Sequence, residues 1–134
     1  MTEHVHRVRV FYEHTDHSGF VYHPRYLSWC EQAREYMLGL DELARLWRED
    51  GVGFVVYRID DFVFRDAARF GDDLDVRTTV EAASEWRLVF EHRILRVGED
   101  RPLVRGRVEL ACVDRAGQLV RVPRGVLDAI EAQK

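Results

Sequence analysis

Lysine is almost missing from this chain. Of its 20 basic residues nineteen are Arg and one, Lys134, is Lys, set against 24 acids for a net charge of −4. The arginines alternate with acids and form no run, which excludes the electrostatic footprint of a nucleic-acid binder. Cysteine is scarce as well: Cys30 and Cys112 are the only two, with no C-x-x-C and no zinc-ligand spacing. Both fall on apolar faces and read as small buried hydrophobes, and a reducing cytoplasm is the expected location. Long apolar runs are missing too. Phe54–Tyr57 is among the longest, so no membrane span is expected. The start Met1-Thr2-Glu3-His4 has no basic region and no apolar stretch after it, so no signal peptide is expected. There is no internal repeat, low-complexity segment or linker.

What is present suits one packed core. Apolar residues make up 46% of the 134, and a chain of this length predicts one domain, 1–134, rather than two. Val5, Val8, Val10 and Tyr12 alternate imperfectly with polar residues and predict a first strand over Val5–Tyr12. After a loop at His14–Gly19, Pro24 suits the first position of a helix, where its missing N–H costs nothing. Tyr26, Trp29, Cys30, Ala33, Tyr36, Met37 and Leu40 then recur every three or four residues, and Gly39 marks the end of that helix. Asp41 is placed to cap a shorter helix running through Arg48.

Beyond Gly51-Val52-Gly53 the period changes to two. Phe54–Phe64 reads as a long strand interrupted at Asp60-Asp61. Further strand faces are Leu74, Val76, Thr78 and Val80; Trp86, Leu88, Phe90, His92 and Ile94; and Val104, Val108, Leu110 and Cys112. Turns at Gly98-Glu99-Asp100 and Ala116-Gly117 predict antiparallel hairpins, and Val122-Pro123 leads into a short helix with Val126, Leu127 and Ile130 on one side. Only the long helix and the sheet can bury each other's apolar faces. The expected fold is therefore α+β, a curled antiparallel sheet wrapped around one central long helix.

The segment Phe11 to Arg34, F-Y-E-H-T-D-H-S-G-F-V-Y-H-P-R-Y-L-S-W-C-E-Q-A-R, carries the chemistry. Its loop holds one carboxylate, Asp16, and feeds a helix whose first turn is marked by His23-Pro24. A carboxylate before a helix N-terminus offers a base or nucleophile together with free N–H groups for a developing oxyanion, the two needs of acyl transfer. Read alone, Asp16 is a loop Asp, and such residues are usually turn or cap residues. His14 and His17 flank it, but a His pair three apart in a loop, without a recurrent partner, does not make a metal site, and no metal is expected. Glu31 and Arg34 stand one helical turn apart and predict an i,i+3 ion pair. His92 lies on an apolar strand face and reads as a satisfied core histidine.

The same segment resembles short acyl-CoA thioesterases of the hotdog fold, the group around 4-hydroxybenzoyl-CoA thioesterase and the YbgC-like enzymes. Their pattern is similar to Y-x-x-T-D-x-x-G-x-V-Y-H-x-x-Y-L continuing into E-x-A-R. This chain supplies Tyr12, Thr15, Asp16, Gly19, Val21, Tyr22, His23, Tyr26, Leu27, Glu31, Ala33 and Arg34 in register. Ala68-Arg69-Phe70-Gly71-Asp72 and the tail Ala111-Cys112-Val113-Asp114 with Arg121-Val122-Pro123 look like the family too, so the resemblance spans essentially the whole chain. The departures are His14 for a common acid, Ser18 for a Gly or Ala, and Ala67 for a Pro, which bear on the substrate more than on the reaction.

The resemblance implies hydrolysis of a short-chain or aromatic acyl-CoA to free acid and coenzyme A. Asp16 would act on the thioester carbonyl carbon as nucleophile or as base for water. The His23 N–H would polarise the carbonyl oxygen, its imidazole would orient water or substrate, and Tyr12 would join the catalytic group. Gly19, Val21 and Tyr22 would line the substrate, and Arg65 and Arg69 would meet the coenzyme A phosphates. No cofactor is implied, coenzyme A being part of the substrate; an acyl-carrier protein could take its place. A homodimer or homotetramer is implied, with sites between subunits. Two rivals remain: a hotdog dehydratase acting on hydroxyacyl thioesters, whose H-x-x-x-G-type pattern does not precede the central helix here, and a non-catalytic acyl-CoA-binding module, against which the intact Asp16 stands.

Overall fold

In the computed structural model, residues 3–132 are described; Met1 and Thr2, where a leader would begin, and Lys134, the single lysine, lie outside them. Five strands, β1 His4–Arg9, β2 Gly53–Phe64, β3 Asp73–Ala82, β4 Arg87–Arg96 and β5 Val104–Val113, form one antiparallel sheet in the order β1-β3-β4-β5-β2. Helix α1, Pro24–Leu38, lies across β1, β3 and β4; α2, Leu40–Arg45, and α3, Arg124–Ala132, close the C-terminal half of the same face. This is the antiparallel sheet around a central helix that the sequence pattern predicts, and the hotdog architecture that the resemblance implies. No helix among the described residues is long and apolar enough to cross a membrane.

The core divides along α1. Its first half packs Tyr26, Trp29, Cys30 and Ala33 on Leu74, Val76, Ile94 and Val104. Its second half packs Met37 and Leu38 with Leu88, Phe90, Val108, Leu110 and α3's Val126 and Ile130. Phe62 joins the two. Its ring turns inward because the strand bulges after Asp60, where Asp61 takes a left-handed φ of 54°. The ring lies so close over Gly106 that a Cβ there would overlap it. Cys30 and Cys112 are buried as expected, and burial pushes their thiols up to about 12 and about 11, which keeps them protonated and inert.

Several local expectations are corrected. β1 stops at Arg9, Tyr12 sits in a 3-10 turn over Tyr12–His14, and Val5 is exposed on the face it shares with Arg7 and Arg9. The cross-strand pairs Arg7–Asp75 (2.6 Å) and Arg9–Asp73 (2.7 Å) hold that register and turn His6 toward α1, where it meets Gln32 and Tyr36. On α1 the buried stripe takes Arg34 and Leu38, whereas Tyr36 and Leu40 are exposed. Gly39, at φ 96°, takes the cap position of α2, and Asp41 falls inside the first turn, where its charge meets the helix dipole instead. The helix stops at Arg45 and continues to Asp50 as a wider π turn. Trp86 precedes β4 and is half-exposed. The Glu31–Arg34 pair is not formed, because Arg34 turns inward to His92.

Candidate active site

The segment before α1 folds as a small ladder. Thr15 pairs with Val21, the Tyr22 N–H donates to His14 O (2.9 Å), and the Asp16 N–H donates to Phe20 O (2.9 Å). Asp16 and Phe20 therefore bracket a tight loop, with Gly19 at φ 85°, a conformation that strains a residue bearing Cβ. The loop is stitched to the rest by the Val21 N–H on Ala68 O (2.9 Å) and by the Tyr26 hydroxyl, which accepts from the Ala68 N–H (2.9 Å). Loop, helix start and the Ala67–Arg69 segment thus hold one another in place.

Asp16 is solvent-exposed and bonded within its own turn. Its Oδ1 accepts from the Ser18 hydroxyl and from the Ser18 N–H (2.8 Å). These bonds, the hydroxyl first, hold its pKa below the usual carboxylate range, so the group is a standing anion. Ser18 escaped the sequence reading as a functional residue. Its signal was there as Asp-x-Ser, the spacing of a side chain closing its own turn.

His23 precedes α1 in helical conformation, with no capping bond from its side chain. Its exposed ring stands edge-on to Tyr22 (5.2 Å) and Phe64 (6.1 Å). Pro24 has no N–H, Arg25 N–H donates to Tyr22 O (2.9 Å) and Tyr26 N–H to His23 O (3.2 Å). Among the described residues the His23 N–H has no partner in the protein. The expected set of free donors therefore narrows to this one, because proline and the preceding turn use up the others.

The remaining candidates separate into two groups. Tyr12 is exposed and its ring stacks flat on Phe70 (4.1 Å) beside the loop; Val21 is buried, and Tyr22 is exposed next to His23. Arg69 lies over the Phe20 ring at 4.7 Å, at the edge of the Asp16 loop. Arg65 lies apart, in a cleft of about 190 Å³ with Asp66, Arg96, Glu99 and Arg101. Arg96 is already engaged there by Asp72 (3.1 Å), whereas Arg65 and Arg101 make no ion pair among the described residues. His14 is structural: its Nδ1 accepts from the Phe11 N–H (2.9 Å) and its ring meets Trp29 edge-on.

An ionised carboxylate on a tight loop, a bare N–H at a helix start and a five-stranded sheet curled over that helix together define a class. The model of the thioesterase-like superfamily matches residues 10–130, and the chain belongs to that family. It is 40% identical over 111 residues to a protein named acyl-CoA thioesterase YbgC from Haemophilus influenzae, covering 80% of this chain and 78% of that one. It is 33% identical over 127 residues to the acyl-CoA thioester hydrolase YbgC of Escherichia coli, covering 94% and 91%. Among solved structures, a 1,4-dihydroxy-2-naphthoyl-CoA thioesterase from Synechocystis superposes with a TM-score of 0.87 at 22% identity over 96% of this chain and 95% of that one, which shows the shared fold. Within its family the chain is a YbgC-like hotdog thioesterase.

Proposed function

We propose that the protein hydrolyses acyl-CoA thioesters of short-chain or aromatic acids, with Asp16 and the His23 N–H as the working pair. One observation carries this reading: an ionised Asp16 held on a rigid turn that leads into the helix start where the His23 N–H stands without a partner. The thioester oxygen accepts from that N–H, and the dipole of α1 favours the negative charge as it grows. Asp16 acts on the carbonyl carbon as nucleophile, or as base for the water that attacks it. Either way water supplies the new C–O bond, the C–S bond breaks, and coenzyme A leaves as its thiol. The His23 imidazole orients water or substrate, and Tyr12 borders the same loop. Gly19, Val21 and Tyr22 shape the approach, and Arg65 and Arg69 face the phosphates. The reaction calls for no separate cofactor and belongs in the cytoplasm.

The working form is a homodimer or a pair of dimers. The two sheet edges differ in the way that reading needs. β1 is short and carries Arg7 and Arg9 in ion pairs. β2 is twelve residues long and exposes Val55 (48%), Val56 (51%), Tyr57 (60%) and Ile59 (52%) along an unpaired edge. An open apolar edge of that length is a liability unless covered. Antiparallel pairing with its own copy sets the Phe64 end of one β2, with His23 against it, beside the Gly53 end of the other.

The test is thioester hydrolysis across acyl-CoAs from acetyl to palmitoyl, with benzoyl and phenylacetyl types, monitored as free thiol. Turnover that disappears in folded Asp16→Asn supports the reading. Tight acyl-CoA binding without turnover, or hydration of enoyl thioesters instead, replaces it with one of its rivals. Light scattering at micromolar concentration reads the assembly, and an active monomer overturns the dimer.

A further inference from the structure

Polar groups are few on the inner face of the sheet, and two of them stand in line with a third from α1. Thr78 on β3 is opposite His92 on β4, with Thr78 Oγ1 2.8 Å from His92 Nδ1. Arg34 reaches down from α1 and places Nη1 3.2 Å from His92 Nε2. A guanidinium only donates, so Nε2 is the bare acceptor and Nδ1 carries the hydrogen that Thr78 receives. All three residues are buried.

Arg34 is the member with unused capacity. It is 7% exposed, its one hydrogen bond among the described residues goes to His92, and the Phe90 ring lies 6.0 Å from it. It makes no ion pair among the described residues; Glu31 and Glu35 act on it through space. A guanidinium carries five N–H donors, and those that His92 does not take are available to an acceptor in the space beside them. Arg34 lines a cleft of about 250 Å³ on the side of α1 that faces β2, where Leu38, Trp47, Phe54, Val56 and Leu110 make the walls apolar and Glu31 and Glu35 stand at the rim.

We propose that this cleft receives the acyl group and that Arg34 donates to a neutral oxygen on it, a hydroxyl or a ketone, with His92 and Thr78 fixing the direction of the guanidinium. This rests on the thioesterase reading above. In the β2-paired dimer the cleft lies at the Gly53 end of its strand, beside the partner's His23. Glu31 and Glu35 select a neutral oxygen over a carboxylate, because they already balance the charge of Arg34 and repel a second anion. A plain alkyl chain fills the apolar walls but leaves the donors unmatched.

The experiment compares matched acyl-CoAs with the full-length protein: butyryl against 3-hydroxybutyryl and acetoacetyl, benzoyl against 4-hydroxybenzoyl, and succinyl as the anionic arm. At least one oxygenated acyl group is expected to exceed its plain partner in kcat/KM by about tenfold or more, the scale of a hydrogen bond to a charged group. Succinyl-CoA gains nothing. Arg34→Met, shown to be folded by circular dichroism, brings the ratio close to one, chiefly through KM. Arg34→Lys keeps the charge without the fork and retains part of it, and Thr78→Val lowers it less than Arg34→Met. Equal kcat/KM within every wild-type pair overturns the proposal while the thioesterase reading stands, and needs no variant to fold. A preference that survives in folded Arg34→Met, or one for succinyl, also overturns it. Hydrolysis of no acyl-CoA at all overturns the thioesterase reading, and this proposal with it.

Discussion

The Asp16 turn and the Arg34–His92–Thr78 line lie toward opposite ends of α1 and treat polar groups in opposite ways. Asp16 stands in solvent, and Ser18, two residues away in sequence, satisfies it. Its charge costs little to keep, and it remains open to a substrate. Arg34, His92 and Thr78 come from three elements and meet in the core, where burial and the charge of Arg34 push the His92 pKa down to about 3. Removing a partner there strands a buried group, whereas a change in the Asp16 turn is answered by water. One region is therefore expected to govern rate with little effect on stability, and the other to govern stability and substrate choice.

The sharpest test of that contrast is Asp16→Asn. It keeps the shape of the turn and removes the charge, and kcat should fall on the order of 10²-fold or more with the thermal midpoint nearly unchanged. A folded variant with near-full activity would remove Asp16 from the chemistry.

His92→Phe probes the other side. It fills the space but leaves Arg34 and Thr78 without their partner, and unfolding in urea should show a loss of about 1–3 kcal/mol per stranded group with the slope unchanged. The wild type should also lose stability as the pH falls. His92 is held neutral when folded, with its pKa near 3 against 6.5 for the free side chain, so the unfolded chain takes up a proton that the folded one refuses. That contribution is fully present above pH 6.5 and fades on the way down toward 3. A wild type and a His92→Phe variant with the same acid slope would show that the buried ring is not its source.

Smaller effects lie at the helix start. His23→Ala keeps the backbone N–H and the dipole of α1, so its loss in kcat should be smaller than that of Asp16→Asn. Equal losses in two folded variants would promote the imidazole to a principal catalytic group. Ser18→Ala should be the mildest change. It removes the first of the bonds that hold the Asp16 pKa down, so the acid limb of the pH–rate profile should move to higher pH. An unmoved limb would mean that a group other than Asp16 is being titrated.

Much of this contrast was legible before the fold was known. The two-residue period of Leu74, Val76, Thr78 and Val80 and the three-to-four-residue period of Tyr26, Trp29, Cys30 and Ala33 place strand and helix correctly, because each depends on which face of a local element avoids water. Asp16, Ser18 and Gly19 lie within four residues of one another, so their turn follows from local chemistry. The β1 face was misread because Val5 is outvoted by the ion pairs of Arg7 and Arg9 with Asp75 and Asp73, residues more than sixty positions away.

By itself the sequence determined the elements, their order, the loop carboxylate and the proline-marked helix start, all matters of short range. Only the tertiary structure decided that Arg34 abandons Glu31 for His92 and that β2 rather than β1 is the open apolar edge. Each of these depends on which strands become neighbours and in what register. Register is set by the sum of contacts over the whole sheet, so no single stretch of chain carries it.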